Sequence, residues 1–161
     1  MKIDSRPSPG AGPGLLLAEI MERAVQTLNR LLEAEYGSIV HRLAEADPFV
    51  TSAAADDQAA VRPMIAELNR HQRELTAMIL KLRGAPVPPR YPTALGGVNY
   101  LSLTFLMPQV IAGTAKLVQT YQREGTTGHP ESDELIGRIL QDHKRHLEEL
   151  KAMHSNLAPS P

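Results

Sequence analysis

Arg70, His71, Glu74, Leu75, Ala77 and Met78 recur 75 residues later as Arg145, His146, Glu149, Leu150, Ala152 and Met153, so two nine-residue stretches agree at six positions. The same offset superimposes Met64 on Ile139, Leu68 on His143 and Leu82 on Leu157. Spacings of three and four residues put these positions on one helix face. A chain that repeats a helix together with its apolar face is constrained to build two related halves around a shared core. His71 and His146 then occupy equivalent inward positions.

Four long helical segments accommodate the repeat. Residues 15–46 hold no proline and one glycine, Gly37, with Leu28, Leu32, Ile39 and Leu43 on one face and Glu35 among them. Asp47-Pro48 ends this segment, because the residue before proline is pushed out of the α region. The second segment runs from Asp56 or Asp57, acids suited to a helix N-terminus, to Gly84 as the C′ glycine. Its inward face is Met64, Leu68, His71, Leu75, Met78 and Leu82, with Pro63 as an early kink. The third, residues 99–123, is almost wholly apolar, with Leu103, Leu106, Met107, Val110, Leu117 and Tyr121 inward and Pro108 as a kink. The fourth starts near Pro130, carries Glu131, Asp133 and Glu134 at its positive end, and runs to about Asn156. It turns Ile136, Ile139, His143, His146, Leu150, Met153 and Leu157 inward.

Between the second and third segments lie Pro86, Pro88, Pro89, Pro92, Gly96 and Gly97. That stretch is too rich in proline for a tight helical hairpin and long enough to travel the length of a bundle. Residues 1–14, with three prolines and three glycines from Pro7 onward, read as a flexible tail, and 158–161 as another. The domain is expected over 15–157. With no period-two alternation anywhere, the fold class is all-α, a four-helix bundle with one long crossover.

Composition narrows the chemistry. Lysine and arginine total 17 against 18 acids, a net charge of -1 that favours neither nucleic acid nor an anionic membrane. The absence of cysteine removes disulfides, thiolate metal sites and cysteine nucleophiles, so any metal must be held by His, Asp or Glu. The run Leu15-Leu16-Leu17-Ala18, broken by Glu19 and Glu22, is too short for a signal sequence or a membrane span, and a cytoplasmic protein is expected. With Ile20 these leucines widen the apolar surface of the first helix beyond one stripe, which predicts a homodimer. There is no glycine-rich phosphate loop, nucleophile elbow or His-Glu-x-x-His zinc helix.

The order helix, helix, long crossover, helix, helix, with Glu35 inside an apolar first helix and inward His71 and His146 in the second and fourth, resembles the ferritin-like superfamily, bacterioferritins and rubrerythrins included. The resemblance covers roughly residues 15–156. It implies an up-down-down-up bundle with Glu35, His71 and His146 at metal-ligand positions. Elsewhere the sequence departs from it. The family's Glu three residues before each histidine is Leu68 in one case and His143 in the other, and the third-helix Glu falls near Val110, with Gln109 beside it. One carboxylate among neutral imidazoles does not offset two ferrous ions in a low-dielectric core, so a di-iron ferroxidase centre is not expected.

What remains is Glu35, His71, His143 and His146, a set suited to a single Fe²⁺ or Zn²⁺. Two imidazoles and one carboxylate with open positions support oxygen chemistry. Glu67 and Glu74, one turn either side of His71, are expected to fix its tautomer or to serve as alternative ligands, and Asp142 to do the same for His146. The competing expectation is a metal-free structural or interaction bundle in which Glu35 pairs with His71 or His143. His41, His129 and His154 fall on a flank, in a loop and near an end, and Tyr36 and Tyr100 at the rim.

Overall fold

The computed structural model describes residues 12–46, 55–89 and 103–157. Among these residues the chain forms helices and no strands: α1 (Pro13–Tyr36), α2 (Ile39–Ala46), α3 (Ala55–Lys81), α4 (Leu103–Glu124) and α5 (Pro130–Leu157). The Asp47-Pro48 terminator, Tyr100, most of the crossover and most of both tails lie outside the described residues. α1 starts at Pro13, with the fixed φ of proline at its first position, two residues ahead of the Leu15 expected from sequence.

The first segment is not one helix. Gly37 donates its N–H to the Glu33 carbonyl at 3.1 Å and Ser38 to the Glu35 carbonyl at 3.1 Å, which tightens the last turn of α1 and stops it. Ser38 Oγ then accepts the N–H of Val40 at 3.3 Å, a side-chain cap that starts α2. The stop-and-cap pair Gly37-Ser38 is the sequence signal for this break. α2 lies close on α4 at Gly113, where a Cβ would come within 2.9 Å of the Ile39 side chain.

The end of α3 differs by one residue from expectation. Arg83, not Gly84, takes the left-handed conformation, with φ 60°. Its N–H reaches the Leu80 carbonyl and that of Gly84 reaches the Ile79 carbonyl, both at 2.9 Å, the two bonds of a Schellman cap. Gly84 is required for space instead, since a Cβ there would sit 2.5 Å from Val25 on α1. Asn29 fastens the outgoing chain to α1, donating to the Ala85 carbonyl at 3.0 Å and accepting the Val87 N–H at 2.8 Å. Both α3 and α4 continue through Pro63 and Pro108.

α1 and α2 pack against α3 and α4, and both α3 and α4 pack against α5. Partners along α3 and α5 run in opposite order: Glu67 meets Arg145, Arg70 meets Asp142, Glu74 meets Arg138 and Lys81 meets Glu131. These helices are therefore antiparallel. So are α1 and α4, where Arg30 meets Glu124 and Glu35 meets Tyr121. None of the described helices is long and apolar enough to cross a membrane.

The core forms two apolar clusters. One joins Ile39, Val40, Leu43, Met64, Leu68, Leu106, Met107, Val110 and Leu150. The other joins Ala24, Leu28, Leu31, Leu32, Leu75, Ile79, Leu82, Tyr121, Ile136 and Ile139. Ile79 occupies the core where the sequence placed Met78, which is only half-buried. Each fully buried Leu or Ile stabilises by about 1.5–3 kcal/mol. Two such clusters can therefore hold a desolvated polar layer between them, and they do: Glu35, His71, His143 and Thr114 lie at the changeover from one cluster to the other along their helices.

Candidate metal centre

Each helix presents its layer residue for a local reason. Glu35 is in the last turn of α1, just before the Gly37-Ser38 break, so it shares the face of Leu28 and Leu32. His71 lies between Leu68 and Leu75 on α3, and His143 follows Ile139 on α5. Glu35, His71 and His143 are completely buried, and Tyr121 and His146 nearly so.

Glu35 Oε1 accepts two short hydrogen bonds, from His143 Nε2 at 2.6 Å and from the Tyr121 hydroxyl at 2.7 Å. The rings of His71 and His143 meet edge to face with centroids 5.1 Å apart. One donor atom from each of Glu35, His71 and His143 lies within 4.8 Å of the others. Nitrogen ligands at about 2.0–2.1 Å from a tetrahedral zinc lie roughly 3.3 Å from one another, so modest side-chain movement closes this set on an ion. Glu35 Oε2, His71 Nδ1 and His143 Nδ1 are buried without a hydrogen-bond partner. An unsatisfied buried polar group costs about 1–3 kcal/mol, a cost that coordination would remove. The gap bordered by Leu68, His143, His146 and Leu150 has no room for a water molecule, so this flank of the layer is dry.

Protonation suits a cation. Burial pushes the Glu35 carboxyl up, but the His143 charge and the hydrogen bonds from His143 and Tyr121 outweigh it and bring it below its ordinary value. Burial holds His71 below the ordinary histidine value against the pull of Glu35 and Asp142, and it lowers His146 against the pull of Glu67. Tyr121 is pushed well up by burial and by the Glu35 carboxylate, so it stays a donor. At neutral pH the layer therefore offers an anionic carboxylate and, at His71, an uncharged imidazole, the forms that bind metal.

The acids expected to hold each histidine from its own helix are exchanged. His71 Nε2 donates to Asp142 on α5 at 3.0 Å, and His146 Nε2 donates to Glu67 on α3 at 2.7 Å. Antiparallel packing of α3 on α5 sets position 71 opposite 142 and position 67 opposite 146. Arg70 and Arg145 also bind Asp142, at 3.2 and 2.9 Å, and Arg145 reaches Glu67 at 2.5 Å. Hydrogen bonds from His71 and Arg145 bring the Asp142 carboxyl below its ordinary value, overriding its burial.

Glu74 takes no part in the layer. It accepts from Arg138 at 3.1 Å in the outer α3/α5 seam. His146 stands apart from the three-donor group, its ring 6.5 Å from that of His71 and 6.2 Å from that of His143. His129 bonds Ser132 through Nδ1 at 2.9 Å at the start of α5, and His154 is exposed near its end. The sequence pattern marks Tyr121 only as a core residue. A tyrosine on an apolar face needs an acceptor for its hydroxyl, and Glu35 was the acid available.

Family models, curated proteins and solved structures yield no significant match to the chain. The buried layer is the chemically distinctive part of the molecule. It offers one carboxylate and two imidazoles from three helices, with a tyrosine hydroxyl fixing the carboxylate.

Proposed function

We propose that this chain is a ferritin-like, up-down-down-up four-helix bundle that binds one divalent ion, Fe²⁺ or Zn²⁺, through Glu35, His71 and His143. The observation that carries the reading is the convergence of three buried donors with Glu35 Oε2 and His71 Nδ1 left unpartnered. The topology is supported by the antiparallel α1/α4 and α3/α5 pairings and by the ring of neighbours in which α1 with α2, α3, α5 and α4 follow one another. A bound ion supplies Lewis acidity and, if it is iron, one-electron chemistry at its open positions. Glu35 contributes the neutralising charge, Tyr121 orients that carboxylate, and the two apolar clusters exclude water. Any oxidoreductase activity follows from the ion. Exposed Leu15, Leu16 and Leu17 support a homodimer, and the cysteine-free chain is suited to the cytoplasm.

A specific observation favours a second reading, a metal-free bundle: Glu35 Oε1 already holds two short hydrogen bonds. Elemental analysis of protein purified without chelator, with Glu35→Ala and His71→Ala alongside, separates the two. About one Fe or Zn per chain, lost in both variants, is the expected result. No metal after reconstitution establishes the second reading, and about two ions per chain overturns the single-ion site.

A further inference from the structure

The constellation acid, Arg, His occurs twice, as Glu67, Arg70, His71 and as Asp142, Arg145, His146. In the folded chain the two copies exchange acids across the α3/α5 seam. An imidazole that donates from Nε2 is left with its lone pair at Nδ1. On both rings that Nδ1 is buried and unpartnered. The surroundings of the two rings differ. Next to His71 stand Glu35 and His143, completing a three-donor group. For His146 the 75-residue offset puts Val110 in place of Glu35 and Leu68 in place of His143, both buried and apolar.

We infer that Asp142 is the positioning residue of the proposed metal site: by accepting the hydrogen bond of His71 Nε2–H it leaves Nδ1 as the ligating atom, while Glu67 sets His146 in the same way with no ion to serve. The inference rests on the single-ion reading above. Two arginines hold the Asp142 carboxylate, Arg70 at 3.2 Å and Arg145 at 2.9 Å, so its oxygens are fixed as acceptors before any metal arrives. The tautomer of His71 is thereby decided in the metal-free fold.

Asp142→Asn keeps the shape of the side chain but replaces one acceptor oxygen by a donor, which scrambles the tautomer of a partner histidine. The test combines Co²⁺ titration, followed by visible absorption with Zn²⁺ competition, and ¹⁵N NMR of the histidine rings without metal. In the wild type His71 is expected as the Nε2–H tautomer. Asp142→Asn loses that preference and binds Co²⁺ about 10- to 100-fold more weakly. Asp142→Glu restores binding to within about threefold of wild type, because Glu67 makes the same bond to His146 at 2.7 Å. Glu67→Gln, the same change at the equivalent position, leaves Co²⁺ affinity within about threefold.

Wild-type affinity in Asp142→Asn, or an equal loss in Glu67→Gln, overturns the inference. So does an Nδ1–H tautomer of His71 in the wild type, a readout that needs no variant to fold. If the wild type takes up no Co²⁺, the metal reading fails, and the ring spectra alone decide whether Asp142 sets His71.

Discussion

His71 and His146 are the same residue in the same repeat, each donating to an acid on the opposite helix, yet only His71 stands among other donors. Beside His71 stands Glu35, itself bonded to His143 and Tyr121, whereas the dry gap that His146 shares with His143 is otherwise lined mainly by apolar side chains such as Leu68 and Leu150. The duplicated histidines build the seam between α3 and α5. The three-donor group comes from the residues that break the duplication, Glu35 and His143. A buried carboxylate is tolerated only where donors meet it, and Glu35 has two within 2.7 Å while position 110 has none and carries valine.

The strongest way to break this contrast is to write the missing donors into the apolar half. Val110→Glu alone places an uncompensated acid in a packed cluster and is expected to cost about 3–5 kcal/mol in urea denaturation. Adding Leu68→His is expected to create a second Zn²⁺ equivalent by calorimetry, with zinc restoring part of the lost stability. Failure to bind a second equivalent would show that the two halves are not geometrically equivalent.

Acid should act through both halves, and always in one direction. His71 and His146 have folded values below the unperturbed 6.5, so the unfolded chain takes up their protons first. The stability they confer is present above about pH 6.5 and is lost as pH falls through their lower folded values. Glu35 and Asp142 are lowered as well, from 4.5 and 3.8, and add a further loss below pH 4.5. Urea midpoints of metal-free protein should fall in two stages from pH 8 to pH 3. His146→Leu should flatten the upper stage, and a midpoint that rises on acidification would contradict these shifts.

Tyr121→Phe sharpens the contrast at smaller scale. It removes one of the two donors to Glu35 and is expected to cost about 1–3 kcal/mol and to raise the pH of acid unfolding. Arg83→Gly, at the end of α3 and away from the layer, relieves a left-handed non-glycine residue and is expected to stabilise by about 1 kcal/mol without changing metal affinity. A change in affinity there would mean that the layer senses global stability rather than its own donors.

Legibility followed the range of the interactions. The 75-residue repeat, the 3.6-residue spacing and the proline-rich stretch gave helix identity and the inward positions of Glu35, His71 and His143, because these are local properties of the chain. The break after Tyr36 was written in Gly37-Ser38, but a glycine inside a helical pattern is ambiguous until the serine is seen to cap. Spacing along one helix shows only same-face neighbours, so it pairs each acid with the histidine of its own helix, whereas the fold pairs it with the histidine of the other. The contact between Tyr121 and Glu35 spans 86 residues, beyond any periodicity.

Sequence therefore determined the helices, their apolar faces and the donor types a cysteine-free chain can offer. Tertiary structure decided which donors meet. Antiparallel packing of α3 on α5 exchanged Glu67 and Asp142 between the histidines, and packing of α1 on α4 gave Glu35 its tyrosine. The reason is that a hydrogen bond or a coordination set is fixed by distances of a few ångströms between helices. Those distances are set by the interhelical register of the folded core, which no single helix encodes.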